Sequence, residues 1–396
     1  MPRTNSLQRA GNTGFLGVKK AVAQGSLLSL RDLLDKIPHK RLLWLLAFVP
    51  ILFVARTIKP EAHALLFGLS VLAIVPLAAL LSLATESMAA KTGDAIGGLL
   101  NATLGNMTEL IIALTALHAG QYVLVKASIA GAIVTNALFM LGAALLLGGL
   151  KYHTQEYNRN STNLLASLLF LATIALLVPS LLARTDSVSI TVEFNQTLSF
   201  GLSALLIVSY ALGMLFSLRT HRELFGAVKH EGTNQTEWPT ALALAVLAGA
   251  TVLVAFVSEV FVESLQGAAD VFGMTPAFVG FIVVALVGAA AEMASAFSSA
   301  RKDRLDLSVA IALGSACQIA LFVAPVLVLL SYVIGPAPMN LQFWPGAVAM
   351  MLIAALAVSL VTSSGRSAWF VGVLLLNVYL IFALTLYLLP PQAAAQ

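Results

Sequence analysis

Charged residues and cysteines are scarce in this chain. Only 10% of its 396 residues are charged, whereas soluble domains carry about 25%. The single cysteine, Cys317, has no second cysteine to pair with, which excludes disulfides and cysteine-based metal sites. The first 40 residues lack the apolar core and cleavage site of a signal peptide, so we expect an unprocessed tail. Because 59% of the residues are hydrophobic, the composition predicts a polytopic membrane protein.

Enzyme motifs are also missing. The sequence has no HExxH, and no Ser-His or Cys-His constellation lies at membrane depth, which argues against a membrane enzyme. All six histidines fall in tails, loops or span ends: His39, His63, His118, His153, His221 and His230. We therefore expect no resident cofactor.

Long apolar runs recur along the chain. Segments of a length that can cross a bilayer occur about eleven times. They cover residues 41–57, 62–84, 94–118, 121–150, 162–183, 197–217, 239–263, 274–299, 305–334, 341–363 and 367–390. The sequence thus predicts an all-α membrane protein whose helices span the bilayer and contact its lipids.

The basic residues support this count. With the N-terminus in the cytoplasm, all but four of the 22 Lys and Arg residues fall on the cytoplasmic side. The four exceptions are Arg56, Lys59, Lys126 and Arg184. This asymmetry predicts a multi-pass protein of a bacterial-type plasma membrane with its C-terminus outside. Topology accounts for the net charge of +4, so no nucleic-acid partner is needed.

Two glutamates interrupt the apolar runs. Glu109 and Glu292 each lie in the middle of a predicted span, and each ends the local frame Gly-x-x-x-Glu, at Gly105 and Gly288. A carboxylate inside a membrane costs several kcal/mol unless it is paired, so such residues usually mark a functional site. No basic residue in the middle of any span is available to pair with them.

The two halves of the chain resemble each other. Each has a hydroxyl residue followed by a glutamate, Thr85-Glu86 and Ser258-Glu259, then a glycine-containing connector and the span with the central glutamate. The two copies enter the membrane from opposite sides. Inverted repeats of this kind are typical of secondary transporters.

The repeats divide the chain. Two inverted five-helix repeats are predicted, preceded by an extra N-terminal helix. The predicted parts are a basic tail at 1–40, the extra helix at 41–61, the first repeat at 62–218, a cytoplasmic loop at 219–238, the second repeat at 239–390 and a tail at 391–396.

Oxygen-bearing side chains surround the central glutamates. On a continuous helix Asn101, Thr108 and Glu109 share one polar sector, Asn106 is adjacent, and Gly105 lets the helix open. The span after each motif adds further polar residues, namely Thr135 and Asn136 in the first half and Ser315 and Gln318 in the second. An all-oxygen set suits hard cations, Ca²⁺ above all. We therefore predict an inorganic cation as the substrate and a site formed by Glu109, Glu292, Asn106, Gly105, Thr108, Asn101, Gly288, Ser315, Gln318 and Asn136.

Two facing carboxylates also predict proton coupling. Without a cation they repel each other in a low-dielectric site, so we expect at least one to hold a proton. A cation displaces the protons and is displaced by them in turn, which is antiport. We expect Glu109 and Glu292 to carry the protons, with Glu86 and Glu259 relaying them or lining the access routes.

These segments resemble the cation/proton exchanger branch of the calcium/cation antiporter superfamily. GGLLNATLGNMTELIIAL is similar to the first repeat motif of that family, which has Gly-Asn-Ala-Thr-Glu-Leu at its core, and LDLSVAIALGSACQIALFVAPVLVLLS is similar to the span after its second motif. The likeness extends over nearly all of the chain from residue 41. It implies an eleven-span exchanger that exports Ca²⁺ in return for protons, with Glu109 and Glu292 as central ligands.

The second motif departs from the family pattern. The second motif of the family usually reads Gly-Asn-Ala-Ala-Glu-His, whereas this chain has Ala289 in place of the asparagine and Met293 in place of the histidine. One half of the site therefore lacks an amide oxygen and an imidazole. Alternatives to Ca²⁺/H⁺ exchange are an antiporter of the same fold for Na⁺, K⁺ or another divalent ion and, more remotely, a passive cation channel.

Overall fold

Membrane-length helices make up most of the structure. A computed structural model describes residues 44–92, 94–182, 191–221 and 238–389. Within these ranges, eight helices are long and apolar enough to cross a membrane, or nine if one bent pair counts as a span. The all-α membrane fold is confirmed, while the count of eleven spans stays a prediction. Both predicted tails, at 1–40 and 391–396, lie outside the described residues, as does most of the loop at 219–238.

Every predicted span overlaps a helix or a broken pair of helices. In chain order the helices are α1 (Trp44–Ile58), α2 (His63–Thr92), α3 (Asp94–Leu104), α4 (Met107–His118), α5 (Tyr122–Tyr152), α6 (Arg159–Leu182), α7 (Val192–Thr220), α8 (Thr240–Phe272), α9 (Pro276–Gly288), α10 (Ala290–Ala300), α11 (Leu305–Ile334), α12 (Pro345–Thr362) and α13 (Trp369–Leu388). Two short strands, β1 (Thr154–Glu156) and β2 (Arg366–Ala368), pair antiparallel. An ion pair of 2.8 Å between Arg366 and Glu156 crosses this ribbon.

Two of the predicted spans are broken. The span at 94–118 consists of α3 and α4, which are separated by a turn at Gly105 and Asn106. The span at 274–299 consists of α9 and α10, which meet at Ala289 with a bend of 59°. The opening that the sequence predicts at Gly105 is therefore present, and the second repeat has its own break one residue after Gly288.

Helices α2 and α8, which begin the two repeats, pack against each other in opposite directions. At one end, Lys91 Nζ donates to the carbonyl oxygen of Trp238, whose amide donates to Ser87 Oγ at 3.0 Å. At the other end, Gly267 lies against the ring of His63. The C-terminal end of α2 thus lies beside the start of α8, which confirms that the repeats are inverted.

The extra helix α1 packs on α2 and is also tied to the second repeat. Both guanidinium contacts of Arg56 go to the carboxylate of Glu263 on α8, at 2.8 and 3.1 Å. The helix outside the duplication therefore contacts both of the helices that begin the repeats.

Small residues allow the repeats to approach closely where α5 crosses α9. A Cβ added to Gly131 on α5 would overlap the backbone of Phe281, and one added to Gly280 would lie 2.6 Å from Ala127 Cβ. Close backbone approach through small residues is a common way to pack membrane helices.

We expect Gly131→Ala to destabilise the protein by about 1 to 3 kcal/mol, because a methyl group here can be accommodated only by moving backbone. The check is thermal unfolding of the purified variant in detergent. The matched control is Gly201→Ala on α7, where a Cβ would meet nothing within 4 Å. Equal melting temperatures for the two variants would contradict this crossing.

Candidate ion site between the repeats

The central glutamates lie at equivalent places in the two repeats. Glu109 is in the first turn of α4 and Glu292 is in the first turn of α10, so each follows directly after the break in its span. The first N–H groups of a helix have no partner within it and favour negative charge. The two breaks therefore place each carboxylate at the end of a helix that stabilises it.

The two motifs meet across the repeat boundary. Glu109 packs against Gly288, where an added Cβ would lie 2.9 Å from Glu109 Cγ and 3.3 Å from Glu109 Cδ. The carboxyl groups of Glu109 and Glu292 are close enough to interact electrostatically. The site is therefore formed by both halves, and Gly288 leaves the space that the Glu109 side chain occupies.

A chain of hydrogen bonds also joins the repeats. Asn136 Nδ2 donates to Ser315 Oγ at 2.8 Å, and Ser315 Oγ donates to Asn106 Oδ1 at 2.7 Å. Asn106, which is only 2% exposed, then donates from Nδ2 to Gln318 Oε1. Ser315 also lies within reach of the Glu292 carboxylate. Four of the predicted site residues, two from each repeat, thus form one polar network.

Wide helical turns position this network. Asn136 lies in a π-helical turn of α5 at Thr135–Met140, and Gln318 directly precedes a π-helical turn of α11 at Ile319–Val323. Such turns interrupt the regular ladder of hydrogen bonds and occur often at functional sites. Both helices therefore widen where they contribute to the network, α5 at Asn136, which bonds to Ser315, and α11 next to Gln318, which bonds to Asn106.

Three buried oxygen atoms at the site have no hydrogen-bond donor among the described residues. They are Glu109 Oε1, Glu292 Oε2 and Asn136 Oδ1. All three are acceptors, and a buried acceptor without a partner costs about 1 to 3 kcal/mol. A cation or a proton would satisfy such a set.

A small cavity adjoins Glu109. Its volume is about 20 Å³, which is room for one water molecule, and its lining includes Ser128, Ala132 and Ala285. Ser128 was not among the predicted site residues. A single serine in an apolar span carries no pattern that could have marked it.

Four further predicted residues, Asn101, Thr108, Glu86 and Glu259, are not members of the hydrogen-bonded chain formed by Asn136, Ser315, Asn106 and Gln318. Asn101 is exposed on α3, because the turn at Gly105 interrupts the sector it was expected to share with Glu109. Thr108 is buried at the start of α4, between Asn106 and Glu109. Glu86 is half-buried and accepts a hydrogen bond from Ser82 at 3.3 Å, while Glu259 is exposed. Their roles as ligands or proton relays stay predictions.

This arrangement defines a class of protein. Inverted repeats, each with a span broken near a buried carboxylate, and a polar site where the repeats meet are typical of secondary transporters. Sequence and structure comparisons then give the family. A family model described as "Sodium/calcium exchanger protein" matches residues 62–219 and 242–388. The chain belongs to this family, and within it to the cation/proton exchanger branch.

The bacterial relatives match over nearly their whole length. The chain is 40% identical to a Ca²⁺/H⁺ antiporter of Synechocystis, covering 89% of this chain and 98% of the relative. It is 40% identical to the Ca²⁺/H⁺ antiporter ChaA of Bacillus subtilis, covering 82% and 93%. A solved structure of native YfkE is 36% identical with a TM-score of 0.76, covering 88% of this chain and 100% of that one.

Proposed function

We propose that this protein exchanges cytoplasmic Ca²⁺ for protons across a membrane, with the cation and the protons competing for Glu109 and Glu292. The names of the relatives support the two ions, since several are described as Ca²⁺/H⁺ antiporters. The three buried acceptor oxygens without a donor, contributed by Glu109, Glu292 and Asn136, are the observation that carries the proposed mechanism.

The chemistry of these oxygens favours a hard cation. Carboxylate, amide and hydroxyl oxygens are the ligands that Ca²⁺ takes in proteins, and water can complete its coordination. In the described ranges, no group of three or more His, Cys, Asp and Glu side chains is placed to hold a metal. A site with two carboxylates and neutral oxygens binds a cation less firmly than a dense acidic cluster. An exchanger needs such weaker binding, because each ion has to dissociate from the site again.

Proton exchange follows from the charges. Two negative charges close together in a low-dielectric site repel each other strongly. A divalent cation removes this repulsion, and protons remove it when the cation has left. A site that holds neither the cation nor protons is therefore disfavoured. Because one must replace the other, the two fluxes are coupled.

The orientation is also part of the proposal. Lys151 Nζ donates to the Arg301 carbonyl at 2.9 Å, and Gln155 of β1 donates to the Asp303 carboxylate at 2.8 Å. The basic residues at this end include Arg366 of β2, and Lys151 and Arg301 next to the β-ribbon. We infer that this end faces the cytoplasm of a bacterial-type cell, with the protein in the plasma membrane, its N-terminus inside and its C-terminus outside.

The ion preference can be tested directly. Everted vesicles containing the protein are given a pH gradient with the interior acidic. Ca²⁺, Mg²⁺, Na⁺ and K⁺ are then added separately while the gradient is followed with a fluorescent dye. We expect Ca²⁺ to collapse the gradient, and vesicles without the protein serve as the control. If Ca²⁺ does not collapse the gradient, the proposal is refuted. Collapse by Na⁺ or K⁺ alone would favour the monovalent antiporter, which is consistent with the loss of an amide at Ala289 and an imidazole at Met293. Cation flux without proton movement would indicate a channel.

A further inference from the structure

Two buried hydroxyl groups outside the central network have no hydrogen-bond partner among the described residues. Thr85 on α2 is 1% exposed and Ser258 on α8 is 0% exposed. Neither Thr85 Oγ1 nor Ser258 Oγ makes a hydrogen bond within the described ranges. They stand at equivalent places in the repeats, each just before a glutamate. A third such hydroxyl, Ser203 on α7, has no glutamate after it and no counterpart in the other repeat.

Helix geometry does not explain why these hydroxyls are free. A buried serine or threonine in a helix usually bonds to the carbonyl oxygen of the preceding turn. On the same two helices, Ser70 Oγ donates to the Leu66 carbonyl at 2.8 Å and Ser264 Oγ donates to the Val260 carbonyl at 2.7 Å. Thr85 and Ser258 could make the same bond, and instead each keeps its hydroxyl free.

Their helices pack against the helices that carry the central glutamates. Helix α2 packs against α10, which carries Glu292, and α8 packs against α4, which carries Glu109. With Gly267 beside His63, the register of the antiparallel pair places Thr85 and Ser258 roughly 20 Å apart along the helices at 1.5 Å per residue. One hydroxyl therefore lies toward each side of the membrane.

We propose that Thr85 and Ser258 are oxygen ligands for the transported cation on its two routes between the central carboxylates and the membrane surfaces. Each hydroxyl oxygen replaces part of the hydration shell that a hard cation gives up on entering the protein. The inverted repeat supplies one such ligand to each route. This inference rests on the proposed cation exchange.

The test removes each hydroxyl without changing the size of its side chain greatly. We expect Thr85→Val and Ser258→Ala each to raise the Ca²⁺ concentration for half-maximal exchange in vesicles by about 3- to 10-fold. Because neither hydroxyl has a partner in the part of the chain that the structure describes, thermal stability should stay unchanged or increase. Thr85→Ser and Ser258→Thr, which keep a hydroxyl, should recover most of the lost affinity.

The matched controls are Ser70→Ala and Ser264→Ala on the same helices. Their hydroxyls bond to their own backbone, so we expect unchanged Ca²⁺ affinity. Wild-type affinity in Thr85→Val and Ser258→Ala would overturn the assignment, and so would a loss of stability in step with the loss of affinity. Wild-type vesicles that fail to exchange Ca²⁺ would instead refute the proposed function, and the same variants would then be compared with the cation that is exchanged.

Discussion

Glu109→Gln and Glu292→Gln are each expected to reduce Ca²⁺-driven proton flux by about 100-fold or more, because glutamine keeps the shape of the side chain but neither titrates nor carries charge. Each variant also leaves the remaining carboxylate alone at the site, which weakens the binding of a divalent cation. The measurement is the rate at which Ca²⁺ collapses an imposed pH gradient in vesicles with matched amounts of protein.

The control for these variants is Glu193→Gln, at the exposed start of α7. We expect it to exchange at the wild-type rate. A normal gel-filtration profile in detergent shows that the variants are folded. Coupled exchange that persists in either Glu109→Gln or Glu292→Gln would rule out the assigned role of that carboxylate.

Gly288→Ala is expected to lower the maximal exchange rate by about 10- to 100-fold while the protein still folds, because small displacements of a reacting group cost about this much. The added Cβ would lie 2.9 Å from Glu109 Cγ, so the Glu109 side chain must move away from its place against residue 288. The backbone of Gly288 has no positive φ, and alanine is therefore tolerated by the chain itself.

Gly249→Ala on α8 is the matched control, since a Cβ there meets nothing within 4 Å. Exchange rates and melting temperatures are measured for both variants. If Gly288→Ala exchanges as fast as Gly249→Ala, the contact between the two motifs does not set the position of Glu109.

The sequence was sufficient to predict the parts of the site that depend on a polar residue standing in an apolar run. Glu109, Glu292, Asn106, Ser315 and Asn136 were all conspicuous for this reason, and the break at Gly105 followed from the backbone freedom of glycine. The inverted repeats were predicted from their matched motifs and are confirmed by the antiparallel packing of α2 and α8.

Other features depend on which side chains meet, and a single sequence does not contain this information. Gln318 was predicted as a ligand, but the structure shows its Oε1 engaged by the Asn106 amide. The prediction that Asn101 lies beside Glu109 requires a continuous helix, and the turn at Gly105 interrupts that helix. In the hydroxyl-glutamate pairs, the sequence predicts a role for Glu86 and Glu259, whereas the structure shows that the Thr85 and Ser258 hydroxyls are buried without a hydrogen-bond partner among the described residues.

The attachment of Trp238 to α2 has a consequence for how the molecule is assembled. Trp238 is the first described residue of the second half, and Lys91 and Ser87 of the first half hold both its carbonyl and its amide. The start of the second repeat is therefore fixed by side chains of the first, and the covalent tether between residues 221 and 238 is not the only determinant of its position. Two separately synthesised fragments divided within that tether would still carry the information needed to find each other.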